Sequence, residues 1–319
     1  MNENAKSEIR KHYFKDEFVI VVPCRSKRPQ IIDRLSGTEQ NKTCFFCPHS
    51  FTDEISTYQD NNKNGDWEII SVINKFSSLT TDSDSAYGQS EVIIETRKHG
   101  LNMSDFSIDH IVHIFDAYIS RLNNLKKIHG IKYVALFKNK GKQAGASIAH
   151  AHSQVIALPI VPPKLKQEAE SYNNYQLKYH NCPYCDIISK ESNSQRAIWQ
   201  DDNASLLAPY ASEFAYETWI VPKRHTNTLS ELSHQEKESF AKALKIVLGK
   251  LDHYNMPYNY YIENAIDNND YHTHIKITPR VNVWAGLELS TGIIANPISP
   301  EFAADFYRSE TEVKCPTSF

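Results

Sequence analysis

The sequence carries one ordered pattern of cysteines and histidines twice, and this repeat limits the folds that the chain can adopt. Each copy reads Cys-x-x-Cys, then a single His, then His-x-His. The first copy comprises Cys44, Cys47, His99, His150 and His152, and the second comprises Cys182, Cys185, His225, His272 and His274. Because chance does not readily produce such an ordered recurrence, it indicates a duplicated structural unit.

Each copy contains the ligands of a closed tetrahedral zinc site, since Zn²⁺ in structural sites is commonly bound by two thiolates and two imidazoles. The spacing predicts two such sites, with a structural role for each Zn²⁺. The predicted ligands are Cys44, Cys47, His99 and His150 in site one, and Cys182, Cys185, His225 and His272 in site two. A redox pair is the alternative for a single Cys-x-x-Cys, but the matched histidines favour a metal. Cys24 and Cys315 are left over, and we expect them to be ordinary thiols.

The His-x-His element of the first copy lies in an apolar run that is typical of a strand. Residues two apart in a strand face the same way, so His150, His152 and Gln154 would share one face. An imidazole fixed beside a metal-bound neighbour can attack phosphorus, because nitrogen is nucleophilic and leaves readily afterwards. A single His is usually an ordinary surface or core residue. Here, a loop of small residues from Asn139 to Ser147 precedes it and suits the close approach of a phosphate.

Apolar periodicity predicts an α+β fold with two similar halves, residues 1–160 and 161–319, each with a mostly antiparallel sheet and one long helix. The predicted strands are 18–22, 67–73, 91–96, 131–137, 147–158, 197–208, 214–221, 258–263 and 272–281. The predicted helices are 107–128 and 233–254, the second with Ser233 and Glu236 as a capping box.

Charge and hydropathy exclude several classes of function. The net charge of −3 over 319 residues argues against a nucleic-acid partner. No apolar run approaches the roughly 20 residues that span a membrane, and the polar start of the chain does not read as a signal peptide. We therefore expect a cytoplasmic protein with neither membrane nor nucleic acid as its partner.

The run from Phe137 to Gln154, FKNKGKQAGASIAHAHSQ, resembles the active-site signature of the galactose-1-phosphate uridylyltransferase family. That family belongs to the histidine triad superfamily, and its relatives include ADP-glucose phosphorylase. The resemblance covers residues 18–308 and implies two histidine-triad-like halves, of which the N-terminal one is catalytic. It also implies ping-pong transfer of a nucleoside monophosphate, UMP, between a nucleotide sugar and hexose 1-phosphate in galactose metabolism. A homodimer is a further expectation from the family.

The resemblance assigns roles residue by residue. His152 matches the nucleophile that carries the nucleotide, and Gln154 matches the glutamine that binds the transferred phosphate. The positions that match substrate-binding residues are Arg25, Arg28, Asn74, Asn139, Gly145, Ser147 and Glu288. Glu288 would accept a sugar hydroxyl, and the two arginines would contact nucleotide phosphates. The alternatives are two surface arginines and a solvated carboxylate at the end of a strand.

The sequence also departs from the family pattern. Ala151 stands where the commonest signature has Pro, and Lys276 stands in the second copy where the first has Gln154. Because no glycine loop precedes the second copy, we predict that it lost catalysis and kept its metal. Some relatives bind the second metal through Glu and His, which makes Glu168 an alternative ligand.

The identity of the substrate stays open at this point. The hexose contacts of better-known bacterial enzymes are not matched around residues 282–283. Uridylyl transfer, adenylyl transfer by an ADP-sugar or dinucleotide phosphorylase, and a zinc-stabilised nucleotide-binding module without turnover are the three candidate functions.

Overall fold

The computed structural model describes residues 8–11, 18–21, 44–50, 56–266 and 270–309. The predictions made for Cys24, Arg25, Arg28 and Cys315 lie outside these residues.

Antiparallel pairing organises all of the described strands. A two-stranded sheet consists of β1 (Glu8–Lys11) and β2 (Phe18–Val21). A ten-stranded sheet consists of β3 (Ser56–Asn61), β4 (Trp67–Ile73), β5 (Gln89–Ile94), β6 (Tyr133–Lys140), β7 (His152–Leu158), β8 (Ala197–Gln200), β9 (Ala204–Leu207), β10 (Thr218–Pro222), β11 (Tyr258–Glu263) and β12 (His274–Pro279). Its spatial order is β3-β4-β5-β7-β6-β11-β12-β10-β9-β8, and every neighbouring pair is antiparallel.

The α+β class is confirmed, and the two expected sheets are joined into one. Five neighbouring strands come from residues 56–158 and the other five from residues 197–279. β6 and β11 pair at the junction, from Tyr258 opposite Lys140 to Ile262 opposite Leu136. The division of the chain after residue 160 stays a prediction.

The described residues also form six α-helices, which are α1 (Ile108–Leu125), α2 (Pro163–Tyr179), α3 (Pro183–Glu191), α4 (His234–His253), α5 (Gly286–Thr291) and α6 (Pro300–Arg308). The two long helices confirm the predictions for 107–128 and 233–254. α4 begins after Ser233, whose hydroxyl accepts from the amide of Glu236 while the Glu236 carboxylate accepts from the amide of Ser233. This is the predicted capping box.

Helices α1 and α4 pack side by side on one face of the large sheet. Phe115 of α1 and Phe240 of α4 are both fully buried, and their rings lie 6.3 Å apart. Truncating either ring to Ala would cost about 3–5 kcal/mol, because the cavity cannot fully close. Ser153 of β7 contacts Tyr118 of α1, so its neighbours His152 and Gln154 face the opposite side of the sheet.

Local hydrogen bonding explains where the strands differ from the predictions. The predicted strand 197–208 is interrupted because the Asp201 carboxylate accepts from the amides of Asn203 and Ala204, which forms a turn between β8 and β9. β7 begins at His152 rather than at 147, since a 3₁₀ turn at Lys142–Ala144 and irregular backbone precede it. β3 was not predicted, because its sequence STYQDN is polar.

In the described part of the chain, no helix combines the length and apolar character that crossing a bilayer requires.

Candidate functional site

The first cluster of cysteines and histidines forms on the face opposite α1. His150 Nδ1 lies 3.7 Å from the Sγ of Cys44 and 3.6 Å from the Sγ of Cys47. His99 Nδ1 lies 3.6 Å from the Sγ of Cys47. The remaining nitrogen of His150 donates to the carbonyl of Thr96 at 2.7 Å, which fixes the ring with Nδ1 directed at the thiols.

The second cluster repeats this arrangement. His272 Nδ1 lies 3.5 Å from the Sγ of Cys182 and 3.6 Å from that of Cys185. His225 Nδ1 lies 3.7 Å from the Sγ of Cys185, and its Nε2 lies 2.9 Å from the Asp270 carboxylate. Carboxylates commonly hold metal-binding histidines in this way.

Both clusters fit a tetrahedral zinc ion. Zn–S bonds of about 2.3 Å and Zn–N bonds of about 2.0–2.1 Å place sulfur and nitrogen about 3.5–3.6 Å apart at the tetrahedral angle. The four ligand atoms of each predicted set all lie within 4.8 Å of one another. Burial raises the pKa of Cys47 to about 12, and neighbouring Cys44 adds to the shift. Burial likewise raises the pKa of Cys185 to about 12, so these thiols need a cation nearby to ionise.

His152 is the first residue of β7 and is only 4% exposed. Its Nδ1 lies 2.8 Å from the carbonyl oxygen of His150. Because a carbonyl can only accept, Nδ1 carries the hydrogen and Nε2 keeps its lone pair. The Phe46 ring packs edge-on against the imidazole at 5.1 Å. Burial lowers the pKa of His152 to about 4, so the ring is neutral at pH 7 and able to act as a nucleophile.

Two amide side chains lie on the strands beside His152. Gln154 follows two residues later on β7, is 9% exposed and lies opposite Phe137 of β6. Asn139, near the end of β6, accepts at 2.7 Å through its Oδ1 from the Nδ2 of Asn259. The same Nδ2 donates to the Ala144 carbonyl at 2.8 Å. Asn259 of β11 thus connects Asn139 to the loop of small residues that ends at Ser147, called the glycine loop below.

The glycine loop is shaped by two residues with left-handed backbone. Gly141 has a φ of +84°, and a Cβ added there would lie 2.8 Å from the Cβ of Pro257. Gly145 has a φ of +85°, and its added Cβ would lie 3.9 Å from the Nδ2 of Asn139. The Ser147 hydroxyl is shielded from solvent and has no hydrogen-bond partner among the described residues. A buried hydroxyl without a partner is suited to a ligand.

A cavity of about 300 Å³ lies beside this loop, lined by Gln143, Arg280, Val281, Asn282, Val283, Trp284 and Leu289. The predicted hexose segment therefore lies next to the loop. The carboxylate of Glu288, however, accepts from the amides of Ala285 and Ala295, so it caps its own short helix.

Asn74 lies just after β4, and its recorded hydrogen bonds are local. Its Nδ2 donates to the Ser90 hydroxyl at 3.4 Å, and its Oδ1 accepts from the amide of Phe76. Ile94 of β5 is the strand partner of His152. Ser90 precedes Ile94 by four residues, so the two lie about 13 Å apart along the strand. The substrate roles of Asn74 and Glu288 stay predictions.

The second copy has different side chains around its second His. His274 Nδ1 repeats the bond to a carbonyl, that of His272, at 2.9 Å. Gln154 lies opposite Phe137 in the first copy, and Lys276 lies opposite Tyr261 in the second. Asn139 and Glu263 each follow that strand partner by two residues, so Glu263 occupies the position equivalent to Asn139. Lys276 Nζ lies 3.0 Å from Glu263, and the Tyr184 ring packs at 4.4 Å against His274. A buried ion pair and an aromatic ring therefore fill this pocket.

Glu168 belongs to this ion-pair network and not to the second cysteine cluster. Its carboxylate accepts from Tyr271 at 2.7 Å and lies 3.4 Å from Lys276 Nζ. Burial alone would raise its pKa, but Lys276 and His274 and the tyrosine hydrogen bonds outweigh burial and lower the pKa to about 2. Two carboxylates here would repel a phosphate, which supports the prediction that the second copy lost catalysis.

The family model "Galactose-1-phosphate uridyl transferase, N-terminal domain" matches residues 1–162. The chain belongs to this family. Two curated relatives are each 28% identical over 96% of the chain: ADP-glucose phosphorylase from Arabidopsis thaliana, with 93% of its own length covered, and galactose-1-phosphate uridylyltransferase from Thermotoga maritima, with 99%.

Solved structures agree with this assignment. A crystal structure described as an ADP-glucose phosphorylase from Arabidopsis thaliana with bound ADP-glucose is 28% identical, with a TM-score of 0.78 and coverage of 97% of this chain and 100% of that one. A structure described as uridylyltransferase is 27% identical, with a TM-score of 0.78 and coverage of 94% and 97%. The chain is thus a nucleotidyltransferase of the galactose-1-phosphate uridylyltransferase family.

Several residues that lie near His152 were not predicted from the sequence. Asn259 lies in no recognisable motif, and Phe46 occupies a variable position of the first Cys-x-x-Cys, so neither residue was singled out. Lys138 and Glu95 are charged residues that are almost fully buried, 3% and 0% exposed. The one sequence signal for this pair was Lys138 directly after the apolar run of β6. A lysine there predicts a buried partner of opposite charge, since lysines are rarely fully buried unless paired.

Proposed function

We propose that this chain transfers UMP between a nucleotide sugar and hexose 1-phosphate through a covalent uridylyl-His152. The observation that carries the proposal is the hydrogen bond from His152 Nδ1 to the His150 carbonyl, which leaves Nε2 as the free nucleophile. In the first step Nε2 bonds to the α-phosphorus, and the bond from phosphorus to the hexose 1-phosphate oxygen breaks. In the second step a phosphate oxygen of the acceptor bonds to phosphorus and the P–N bond breaks.

The residues around His152 would neutralise the charge that develops on the phosphoryl group. Asn139 already accepts from Asn259 through Oδ1, so its own Nδ2 hydrogens remain for a ligand near the loop. Gln154 and Ser147 would supply further donors. Gly145, whose own amide donates to the Lys142 carbonyl at 2.9 Å, would allow a phosphate to approach the loop closely. Arg25 and Arg28 complete the proposed set as phosphate contacts.

The two cysteine–histidine clusters would hold Zn²⁺ as a structural ion. A bound cation would keep the thiols of Cys44 and Cys47 ionised and would tie their turn to the segments that carry His99 and His150. In the first cluster it would also fix His150, whose carbonyl orients His152. No step of the transfer needs the metal itself.

The second candidate is adenylyl transfer from an ADP-sugar to inorganic phosphate. The observation that favours it is the 28% identity to ADP-glucose phosphorylase, equal to the identity to the uridylyltransferase from Thermotoga maritima. Both reactions use the same covalent chemistry at His152 and differ in the base and the acceptor.

The test is intact mass spectrometry of the protein after incubation with UDP-glucose or with ADP-glucose. A uridylyl adduct with the first supports the proposal, and an adenylyl adduct with the second supports the alternative. If neither adduct forms while nucleotide still binds, the chain is a zinc-stabilised binding module. Peptide mapping should place the adduct on His152.

A further inference from the structure

A buried ion pair lies directly behind His152, on the side of the sheet that faces α1. The ammonium of Lys138 contacts the Glu95 carboxylate, and the two side chains are 4% and 0% exposed. Removing two charges from water is expensive, and an apolar pair of similar size is often as stable. The pair therefore calls for a reason beyond stability.

The ion pair lies at the point where β6 and β7 stop pairing. The Ala151 carbonyl accepts from the amide of Glu95 on the β5 side. Because successive carbonyls of a strand point to opposite sides, the His152 carbonyl points towards β6. The pairing of β6 with β7, however, ends at Phe137 and Gln154. Lys138 Nζ donates to the His152 carbonyl at 3.1 Å, in place of a strand amide.

The pair is fixed in turn by hydroxyl groups from three elements. The Tyr118 hydroxyl of α1 donates to Glu95 at 2.9 Å, and Ser153 of β7 donates to the same carboxylate oxygen. Tyr260 of β11 lies 2.6 Å from the Tyr118 hydroxyl. Tyr118, Ser153 and Tyr260 are all fully buried, so the network is dry and its geometry is narrowly defined.

The second copy lacks this network. In the matching registers, Ile262 replaces Lys138 and Ile275 replaces Ser153. Both isoleucines are buried in the apolar core. The same sheet position is therefore stable with apolar residues in the second copy, and the polar network lies behind the His-x-His of the first copy.

We propose that Lys138, held by Glu95, is a positioning residue for His152. It fixes the His152 main chain where β6 and β7 part to admit the glycine loop, and so keeps Nε2 aimed at the phosphorus. This inference rests on the proposed function, because it assigns a purpose to the network through the transfer at His152.

The test removes both charges together, since Lys138→Met alone would leave Glu95 buried and unpaired. The double variant Lys138→Met/Glu95→Gln is compared with Arg121→Met/Glu91→Gln. The control removes a second buried ion pair, in which Arg121 Nε of α1 lies 2.7 Å from Glu91 Oε2 of β5. Arg121 donates to the Thr57 carbonyl and does not contact the His152 carbonyl. Single-turnover adduct formation should slow at least about tenfold in the first variant, with nucleotide-sugar affinity unchanged. The control should keep the wild-type rate, and Lys138→Arg should recover part of it.

Equal rates in both double variants, or a loss confined to substrate affinity, would overturn the inference. A second measurement does not depend on catalysis. In ¹⁵N-histidine spectra, the Nδ1 hydrogen of His152 should exchange with solvent faster in Lys138→Met/Glu95→Gln than in the wild type and the control. An unchanged exchange rate contradicts the positioning role, whereas a wild-type protein that forms no adduct contradicts only the proposed function.

Discussion

The Nδ2 of Asn259 donates to the Oδ1 of Asn139 at 2.7 Å, so a side chain from the second half of the chain orients an amide beside His152. The same nitrogen reaches the Ala144 carbonyl of the glycine loop at 2.8 Å. The loop, the amide and the central strand pair thus form one unit, and its order depends on a residue far away in sequence.

Replacing Asn259 with Ala should reduce the rate of adduct formation about tenfold, because Asn139 and the loop lose their shared donor. Asn259→Asp should be worse, since a carboxylate cannot donate to either acceptor and adds negative charge near the phosphate. Single-turnover rates for the two variants check this order. A rate for Asn259→Asp above that of Asn259→Ala would argue against the assigned geometry.

The variant His152→Ala should lose transfer by at least about 10³-fold and keep its zinc, because the nucleophile is removed and the ligands are not. His274→Ala is the matched control, since His274 makes the equivalent carbonyl bond at 2.9 Å in the filled pocket. Turnover and metal content measured on both proteins decide the matter. Normal turnover of His152→Ala would refute the nucleophile.

Elemental analysis should find two zinc ions per chain. Cys44→Ser and Cys182→Ser should each lose one ion and lower the unfolding midpoint by roughly 10 °C, because metal binding contributes directly to folding. Only Cys44→Ser should also slow transfer, since His150 holds the carbonyl that orients His152. Equal slowing in both variants would show that the effect is one of general stability.

Gly145→Ala and Gly65→Ala form another matched pair. Both glycines have left-handed backbone, with φ values of +85° and +83°, so each substitution should cost about 1 kcal/mol of stability. An added Cβ at Gly145 comes within 3.9 Å of the Asn139 amide, whereas nothing lies within 4 Å at Gly65. Urea unfolding should therefore show similar losses, and transfer assays should show a loss for Gly145→Ala alone.

Acid should weaken the start of α4. Burial alone would raise the pKa of Glu236, but Arg224 and the hydrogen bonds of Ser233 outweigh burial and hold the pKa below 4.5. The folded protein then binds fewer protons than the unfolded chain, so this stabilisation is complete above pH 4.5 and is lost as the pH falls through the folded value. Glu236→Gln should cost about 1–2 kcal/mol at pH 7. The cost should shrink at pH 3, which urea unfolding at the two pH values would measure.

Residue type and spacing were enough to predict the parts of the site that lie close together in sequence or repeat within it. The four ligands of each cluster meet as predicted. Cys-x-x-Cys places two of them on one short segment, and the repeat of the same order of residues pointed to the two histidines. The helices 108–125 and 234–253 followed from apolar stripes and from the cap at Ser233.

The remaining features depend on which strands become neighbours, and a single sequence does not state this. Asn259 meets Asn139 only because β6 pairs with β11. Tyr260 meets Tyr118 because this pairing places β11 next to β6, and α1 packs against β6 and β7. Glu168 was an alternative ligand only through the family resemblance, and its contacts with Lys276 and two tyrosines depend on the packing of α2 against the sheet.

The pairing of β6 with β11 has a consequence for how this chain can be cut or recombined. A fragment that ends after β7 would expose the free edge of β6, and an unpaired edge invites aggregation. It would also remove Tyr260 from the hydroxyl network and Asn259 from the loop. Chimeras between relatives should therefore exchange β6 and β11 together. A cut at the division predicted after residue 160 would separate these two strands, which pair at the centre of the large sheet.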